Sequence, residues 1–166
     1  ERLLPLFDNG NDVGLITEAG LPAVADPGSQ LVKLCHRHNI EVVPCSGPSS
    51  LMLALMGSGL NGQSFAFLGY IPAKTDERRQ ALKSIEKHSA SAHQTKIMIE
   101  TPYRNDSLFA DILNVCQGST ELCVAADITM PDAYIMTKTV AEWKRYVAGK
   151  ESIIGKRPCV FLILAH

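Results

Sequence analysis

No run of apolar residues in this chain approaches the ~20 needed to span a bilayer, which predicts no membrane-spanning helix and no membrane partner. Its five cysteines, Cys35, Cys45, Cys116, Cys123 and Cys159, contain no Cys-x-x-Cys pair. That pattern argues against zinc and disulfide frameworks. It suits small hydrophobes packed in a reducing cytoplasm, where the chain is expected to work. There is no G-x-G-x-x-G and no G-x-x-x-x-G-K-[ST], so neither a dinucleotide fingerprint nor a P-loop is present. The histidines (His36, His38, His88, His93, His166) lack metal-ligand spacing, and no metal is expected. Charge of either sign is not in excess: 16 Lys+Arg face 17 Asp+Glu, for a formal net charge of −1. That balance argues against a broad nucleic-acid footprint while allowing a local basic patch. The chain does not begin with methionine, and no signal-peptide pattern is visible in it. Glu1-Arg-Leu-Leu-Pro-Leu-Phe7 reads as the end of an amphipathic element already under way, so the chain is expected to lack an N-terminal part.

What is present is a pair of glycine-proline corners, each directly behind a short apolar run. The first is Val13-Gly-Leu-Ile-Thr-Glu-Ala-Gly-Leu-Pro22, continuing through Ala25-Asp-Pro-Gly28. The second is Glu41-Val-Val-Pro-Cys-Ser-Gly-Pro-Ser-Ser50. Each places a loop between an expected buried strand (Val13–Thr17, Glu41–Pro44) and an expected helix, with Asp26-Pro27 as N-cap and first-turn proline of the earlier one. In open α/β sheets ligands bind at that edge. Either corner alone reads as a tight turn or as a ligand loop; two on successive strands favour the ligand loop.

Ser46–Ser50 opens a second helix, apolar nearly all round at Leu51–Met56. The glycine-dense Gly57–Gly62 marks a domain boundary, giving residues 1–62 and 63–166 as the two domains. Beyond it the pattern predicts strands at Phe65–Gly69, Lys96–Glu100, Leu122–Asp127, Tyr134–Thr139 and Val160–Ala165. Helices are expected at Asp76–Lys87, from Asn105 (as cap) to about Cys116, and after the Thr139-Val-Ala-Glu142 capping box. Strands alternating with helices argue α/β throughout. Close strand spacing over residues 122–139 makes the second sheet mixed.

Ser49 and Ser50 occupy a helix first turn, where they either cap or bind a ligand carboxylate. No G-x-S-x-G elbow surrounds them, which disfavours a serine nucleophile. Glu100-Thr-Pro-Tyr-Arg104 gathers an acid, a hydroxyl, an aromatic and an arginine at a strand end. It is either solvated or functional, with an internal Glu100–Arg104 pair as its structural role. Lys74, Arg78, Arg79, Lys83 and Lys87 form a basic stretch that reads as a solvated helix face or as a phosphate-contacting surface.

Taken in order, these segments resemble the tetrapyrrole-methylase superfamily of S-adenosylmethionine-dependent methyltransferases, nearest to its branch of ribosomal RNA small-subunit 2′-O-ribose methyltransferases. Thr17-Glu-Ala-Gly-Leu-Pro-Ala-Val-Ala-Asp-Pro-Gly28 is similar to that branch's Ser-Asp-Ala-Gly-Thr-Pro…Asp-Pro-Gly loop. Val43-Pro-Cys-Ser-Gly-Pro-Ser-Ser50 with Ser58-Gly-Leu60 resembles its Pro-Gly-Pro-Ser helix and following Ser-Gly-Leu. Phe67-Leu-Gly-Tyr-Ile-Pro-Ala-Lys74, with Arg78 and Leu82, resembles Gly-Phe-Leu-Pro-x-Lys, and Glu100-Thr-Pro-Tyr-Arg104 resembles Glu-Ser-x-x-Arg.

The resemblance implies two α/β lobes of the tetrapyrrole-methylase type, the first incomplete, with S-adenosylmethionine in a cleft between them. It implies a homodimer acting on RNA. On the same basis Glu18, Ala19, Gly20, Leu21, Pro22, Val24, Ser49, Ser50, Thr101, Pro102, Arg157 and Pro158 are the expected cofactor-binding residues. No catalytic residue is assigned; Glu18 is a candidate proton acceptor or a turn cap. The branch carries Arg-Glu-x-Thr-Lys where this chain has Ala126-Asp-Ile-Thr-Met130, which keeps a tetrapyrrole or other small-molecule acceptor open. A non-catalytic nucleotide- or protein-binding module is the alternative of another class.

Overall fold

The computed structural model describes residues 2–166, apart from the side chain of Asn9. The chain divides into two compact units, the first ending at Ser49 and the second running from Ser50 to His166.

The first unit holds a 3-10 turn at Leu4–Gly10 and one α-helix, α1 (Ser29–Arg37). The expected strands at Val13–Thr17 and Glu41–Pro44 form no regular element and join no ladder. A strand exists only through its neighbour's N–H and C=O groups, and no described residue supplies them. Ile16 and Val43 therefore stay 89% and 71% exposed. Asp26 does not cap α1; the N-cap is Gly28, at a φ of 144° that an L side chain rarely adopts, and no side chain caps the helix.

The second unit is a five-stranded mixed sheet of order β1-β2-β5-β3-β4. Its strands are β1 (Phe65–Tyr70), β2 (Thr95–Ile99), β3 (Glu121–Ala126), β4 (Tyr134–Thr139) and β5 (Cys159–Leu164). The β1–β2 pair is parallel and the other pairs are antiparallel. Its helices are α2 (Ser50–Ser58), α3 (Thr75–Ala92), α4 (Asn105–Val115) and α5 (Val140–Val147). α2 thus belongs to this unit, ahead of the glycine-dense junction.

Strand periodicity of two decides which helix covers which face. In β5, Cys159, Phe161 and Ile163 join Leu82 of α3, Leu108 and Ile112 of α4, and Trp143 of α5 in one core. Val160 and Leu162 join Leu51, Ala54 and Leu55 of α2 in the other. β3 alternates in the same way, Leu122 and Val124 against Cys123 and Ala125. With both faces covered, β5 is buried along its whole length. Each fully buried aliphatic or aromatic side chain contributes about 1.5–3 kcal/mol relative to exposure.

The capping box forms as the sequence predicts: Thr139 Oγ1 accepts from Glu142 N at 3.2 Å and Glu142 Oε2 accepts from Thr139 N at 2.9 Å. It fixes the start of α5, so Trp143 points inward, edge-on to Phe109 at 5.3 Å, with its Nε1 donating to the Leu122 carbonyl at 2.7 Å. Thr139→Ala should lower stability by about 1 kcal/mol. Urea unfolding followed by fluorescence of Trp143, the sole tryptophan, measures it; an unchanged midpoint would contradict the role given to the cap.

Candidate functional site

Sheet register brings distant segments of the second unit to one edge. Tyr70 and Val160 each pair with Ile99, and Ala126 pairs with Cys159. The carboxyl ends of β1, β2 and β3 therefore lie together with the amino end of β5. The corner after β2, Glu100–Asn105, meets the turn before β5, Gly155–Pro158. Asn105 seals this meeting: its Nδ2 donates to the Arg157 carbonyl at 2.7 Å and to the Gly155 carbonyl at 3.4 Å. The sequence suggests Asn105 as a helix cap. The structure gives it this cross-link instead, because its side chain is fully buried against the turn, and α4 begins with no side-chain cap. Thr101, Pro102, Arg157 and Pro158 are thereby brought together.

The predicted Glu100–Arg104 pair forms. Glu100 Oε1 accepts from Thr101 N at 2.6 Å and Arg104 Nη2 at 2.7 Å. Burial pushes the Glu100 carboxyl up, but the hydrogen bonds from Arg104 and Thr101 outweigh it and hold the group below its ordinary value. Glu100 Oε2, Arg104 Nε and Asn105 Oδ1 are buried without partners; among the described residues, every such orphaned side-chain atom lies in this corner. Each costs about 1–3 kcal/mol if it stays unsatisfied, which makes the corner a candidate for ligand atoms. Arg157, by contrast, is consumed internally. Its guanidinium donates to the Ile154 and Ile153 carbonyls at 2.9 and 2.7 Å and lies 3.7 Å from Asp127 Oδ2.

In the first unit the two glycine-proline corners converge. A Cβ on Gly47 would stand 3.2 Å from Leu21 Cδ2. The Glu18–Val24 loop closes through Val24 N donating to Leu21 O at 3.2 Å and Ala23 N donating to Pro27 O at 3.3 Å. Gly20, Ala23 and Ala25 all take left-handed backbone, with φ of 74°, 64° and 55°. For the two alanines this is strain. Glu18 and Ala19 are exposed on the same loop, and Pro22 is half-buried. Ser49 ends the first unit and Ser50 opens α2 in the second.

A feature the sequence hides is the clamp at Asp111. Arg78 reads as part of a solvated basic face, yet it is 4% exposed and donates from Nε to Asp111 Oδ2 at 2.7 Å. Arg79 Nε donates to Asp111 Oδ1 at 2.7 Å, and Arg78 Nη1 ties the Ala73 carbonyl at 2.9 Å. The basic stretch thus loses Arg78 as a phosphate contact and gains an anchor for the loop leaving β1. The one available signal was an acid on the apolar side of α4. Burial pushes the Asp111 carboxyl up, and the hydrogen bonds from Arg79 and Arg78 pull it lower still, below its ordinary value. A depressed folded value stabilises the protein above the unfolded value, ~3.9 for aspartate. That stabilisation disappears as pH falls through the lower folded value. Asp111→Asn should cost about 3–5 kcal/mol at pH 7, because it leaves a buried guanidinium uncompensated, and should flatten the fall in stability below about pH 4. Urea titrations at pH 7 and in acid check this; equal acid sensitivity in both proteins would contradict it.

The model of the tetrapyrrole (corrin/porphyrin) methylases matches residues 1–144, and the chain belongs to that family. Its relatives include the ribosomal RNA small subunit methyltransferase I of Vibrio cholerae, 35% identical over 144 residues that make up 87% of this chain and 49% of that protein. The Escherichia coli O157:H7 enzyme of the same name is 34% identical, over 92% of this chain and 52% of its own length. The Thermotoga maritima enzyme is 36% identical, over 78% and 55%. This chain thus spans about half the length of the curated relatives it matches. Among solved structures, the methyltransferase CobJ aligns with a TM-score of 0.55 at 14% identity, covering 88% of this chain and 62% of its own. Cobalt precorrin-4 methyltransferase CbiF aligns at 0.54 and 17%, covering 87% and 61%. At those identities the likeness shows the fold alone.

Proposed function

We propose that this protein is an S-adenosylmethionine-dependent methyltransferase whose acceptor is ribosomal RNA, at a ribose 2′-oxygen or a similar group, working as a homodimer in the cytoplasm. Family membership and the names of the relatives support this reading. The observation that carries it is the concentration of unpartnered buried polar atoms in the Glu100–Asn105 corner, where Thr101–Pro102 and Arg157–Pro158 meet.

The donor set fits the cofactor. An adenosyl amino acid carries an exocyclic amine, ribose hydroxyls and an α-ammonium, which donate, and a carboxylate, which accepts. Glu100 Oε2 and Asn105 Oδ1 are acceptors, and Arg104 Nε is a donor. In this reading the cofactor contacts of the second unit are Thr101, Pro102, Arg157 and Pro158, with Ser50. Within the first unit, Glu18, Ala19, Gly20, Leu21, Pro22, Val24 and Ser49 are the contacts proposed, largely through main chain. The bound cofactor supplies an electrophilic methyl group on a sulfonium. What the chain contributes is binding and orientation: strained loops and a clamped strand end fixed before the ligand arrives. No described helix is long and apolar enough to cross a membrane.

Gly20 makes a discriminating test. A Cβ there would touch no protein atom within 4 Å, although φ of +74° strains any side chain. Gly20→Val in the full protein should stay folded, at a cost of about 1–2 kcal/mol, yet lose S-adenosylhomocysteine affinity at least ~10-fold by obstructing backbone approach. Titration calorimetry reads it; unchanged affinity in folded protein removes this loop from the site. Methyl label from S-adenosylmethionine should enter ribosomal RNA from a strain lacking the gene. Label in a precorrin-type substrate with none in RNA would overturn the RNA assignment.

A further inference from the structure

Two tyrosines stand out on the second unit because nothing covers them. Tyr103 is 79% exposed in the 3-10 turn Pro102–Arg104, and Tyr70 is 60% exposed at the end of β1. The backbone presents both. The β1–β2 ladder slips between Phe67 and Tyr70, where Gly69 takes a φ of +68°, and such a slip re-aims the side chain that follows. Tyr103 follows Pro102, whose ring fixes the turn.

Cations lie at the same edge. Lys156 Nζ lies 5.3 Å from the Tyr103 ring centroid. Arg104 adjoins Tyr103 in sequence, and Tyr70 pairs with Ile99, the residue before Glu100, so both tyrosines stand at the same sheet edge. Its guanidinium is held through Nη2 by the buried Glu100 carboxylate, while 41% of its side chain faces solvent. A held, half-exposed guanidinium at the edge that carries two bare aromatic rings is preorganised for planar, anionic ligands.

We propose that Tyr70 and Tyr103, with Arg104 and Lys156, form a platform on which unpaired bases of single-stranded RNA stack while the two cations meet its phosphates. The proposal rests on the methyltransferase reading and assigns that enzyme's acceptor a docking surface. Bases in a duplex hide their faces, so aromatic platforms select single strands. An acidic peptide would use the cations but leave the rings idle.

The test is fluorescence anisotropy of the full protein with a labelled single-stranded oligoribonucleotide, alongside S-adenosylhomocysteine calorimetry on the same samples. Tyr103→Ala and Tyr70→Ala should each weaken RNA binding by about five- to a hundredfold. The Phe variants keep a stacking face and should bind within about twofold of the parent. Lys156→Gln should reduce the slope of log affinity against log salt by about one. The proposal is overturned if the parent protein binds no RNA, if the Ala variants bind as the parent does, or if the Phe variants are as weak as the Ala variants. Polyglutamate displacing the label as well as unlabelled RNA does would also overturn it, by showing that charge alone is read. Tyrosine-dependent RNA binding without cofactor binding would sink the methyltransferase reading and leave the platform standing. The converse would sink the platform alone.

Discussion

β5 is the constraint on which the second unit depends. It enters antiparallel between β2 and β3, and its six residues are buried on both faces. An antiparallel neighbour starts where its partner ends. The residues just before β5 must therefore lie beside those just after β2, whatever separates them in sequence. That geometry, rather than any local preference, carries Arg157–Pro158 to the Glu100–Asn105 corner. The alternation of Cys159, Phe161 and Ile163 with Val160 and Leu162 fixes the register. A slip of one residue would turn each side chain to the wrong face.

Polar chemistry is laid onto that frame at one end. Asn105 joins the two loops, Glu100 fixes Arg104, and Asp111 draws Arg78 inward so that the loop after β1 is tied through Ala73. These bonds are buried or part-buried and serve to position loops more than to add stability, since desolvation offsets much of each buried ion pair. The result is an edge with acceptors and a donor already placed and left unsatisfied.

Where the sequence carries its own periodicity, reading and structure agree. The strands of the second unit, the capping box at Thr139 and the Glu100–Arg104 pair all follow from spacing within a few residues. What escaped depends on partners far along the chain. Arg78 sits in a run of charges that looks solvated, and Asp111, which buries it, is 33 positions away. Asn105 has the position of a cap, but the carbonyl that claims it is 52 positions away. Val13–Thr17 and Glu41–Pro44 have the composition of strands and find no ladder among the described residues. The convergence of the two corners, through Leu21 and Gly47, appears in the structure even so. The expected cofactor residues could be named only through a family resemblance, since small residues and prolines in turns carry no chemical signature of their own.

The central claim is the proposal that the strand-end corner of the second unit binds the methyl donor, with the glycine-proline loops of the first unit proposed as further contacts. Hydrogen–deuterium exchange of the full protein, with and without S-adenosylhomocysteine, tests it most directly. Added protection is predicted at residues 18–24, 100–105 and 155–158, with the far end of the sheet around Thr95 and Leu164 unchanged. Saturating ligand that leaves those segments unprotected, or protects only residues elsewhere, would contradict it.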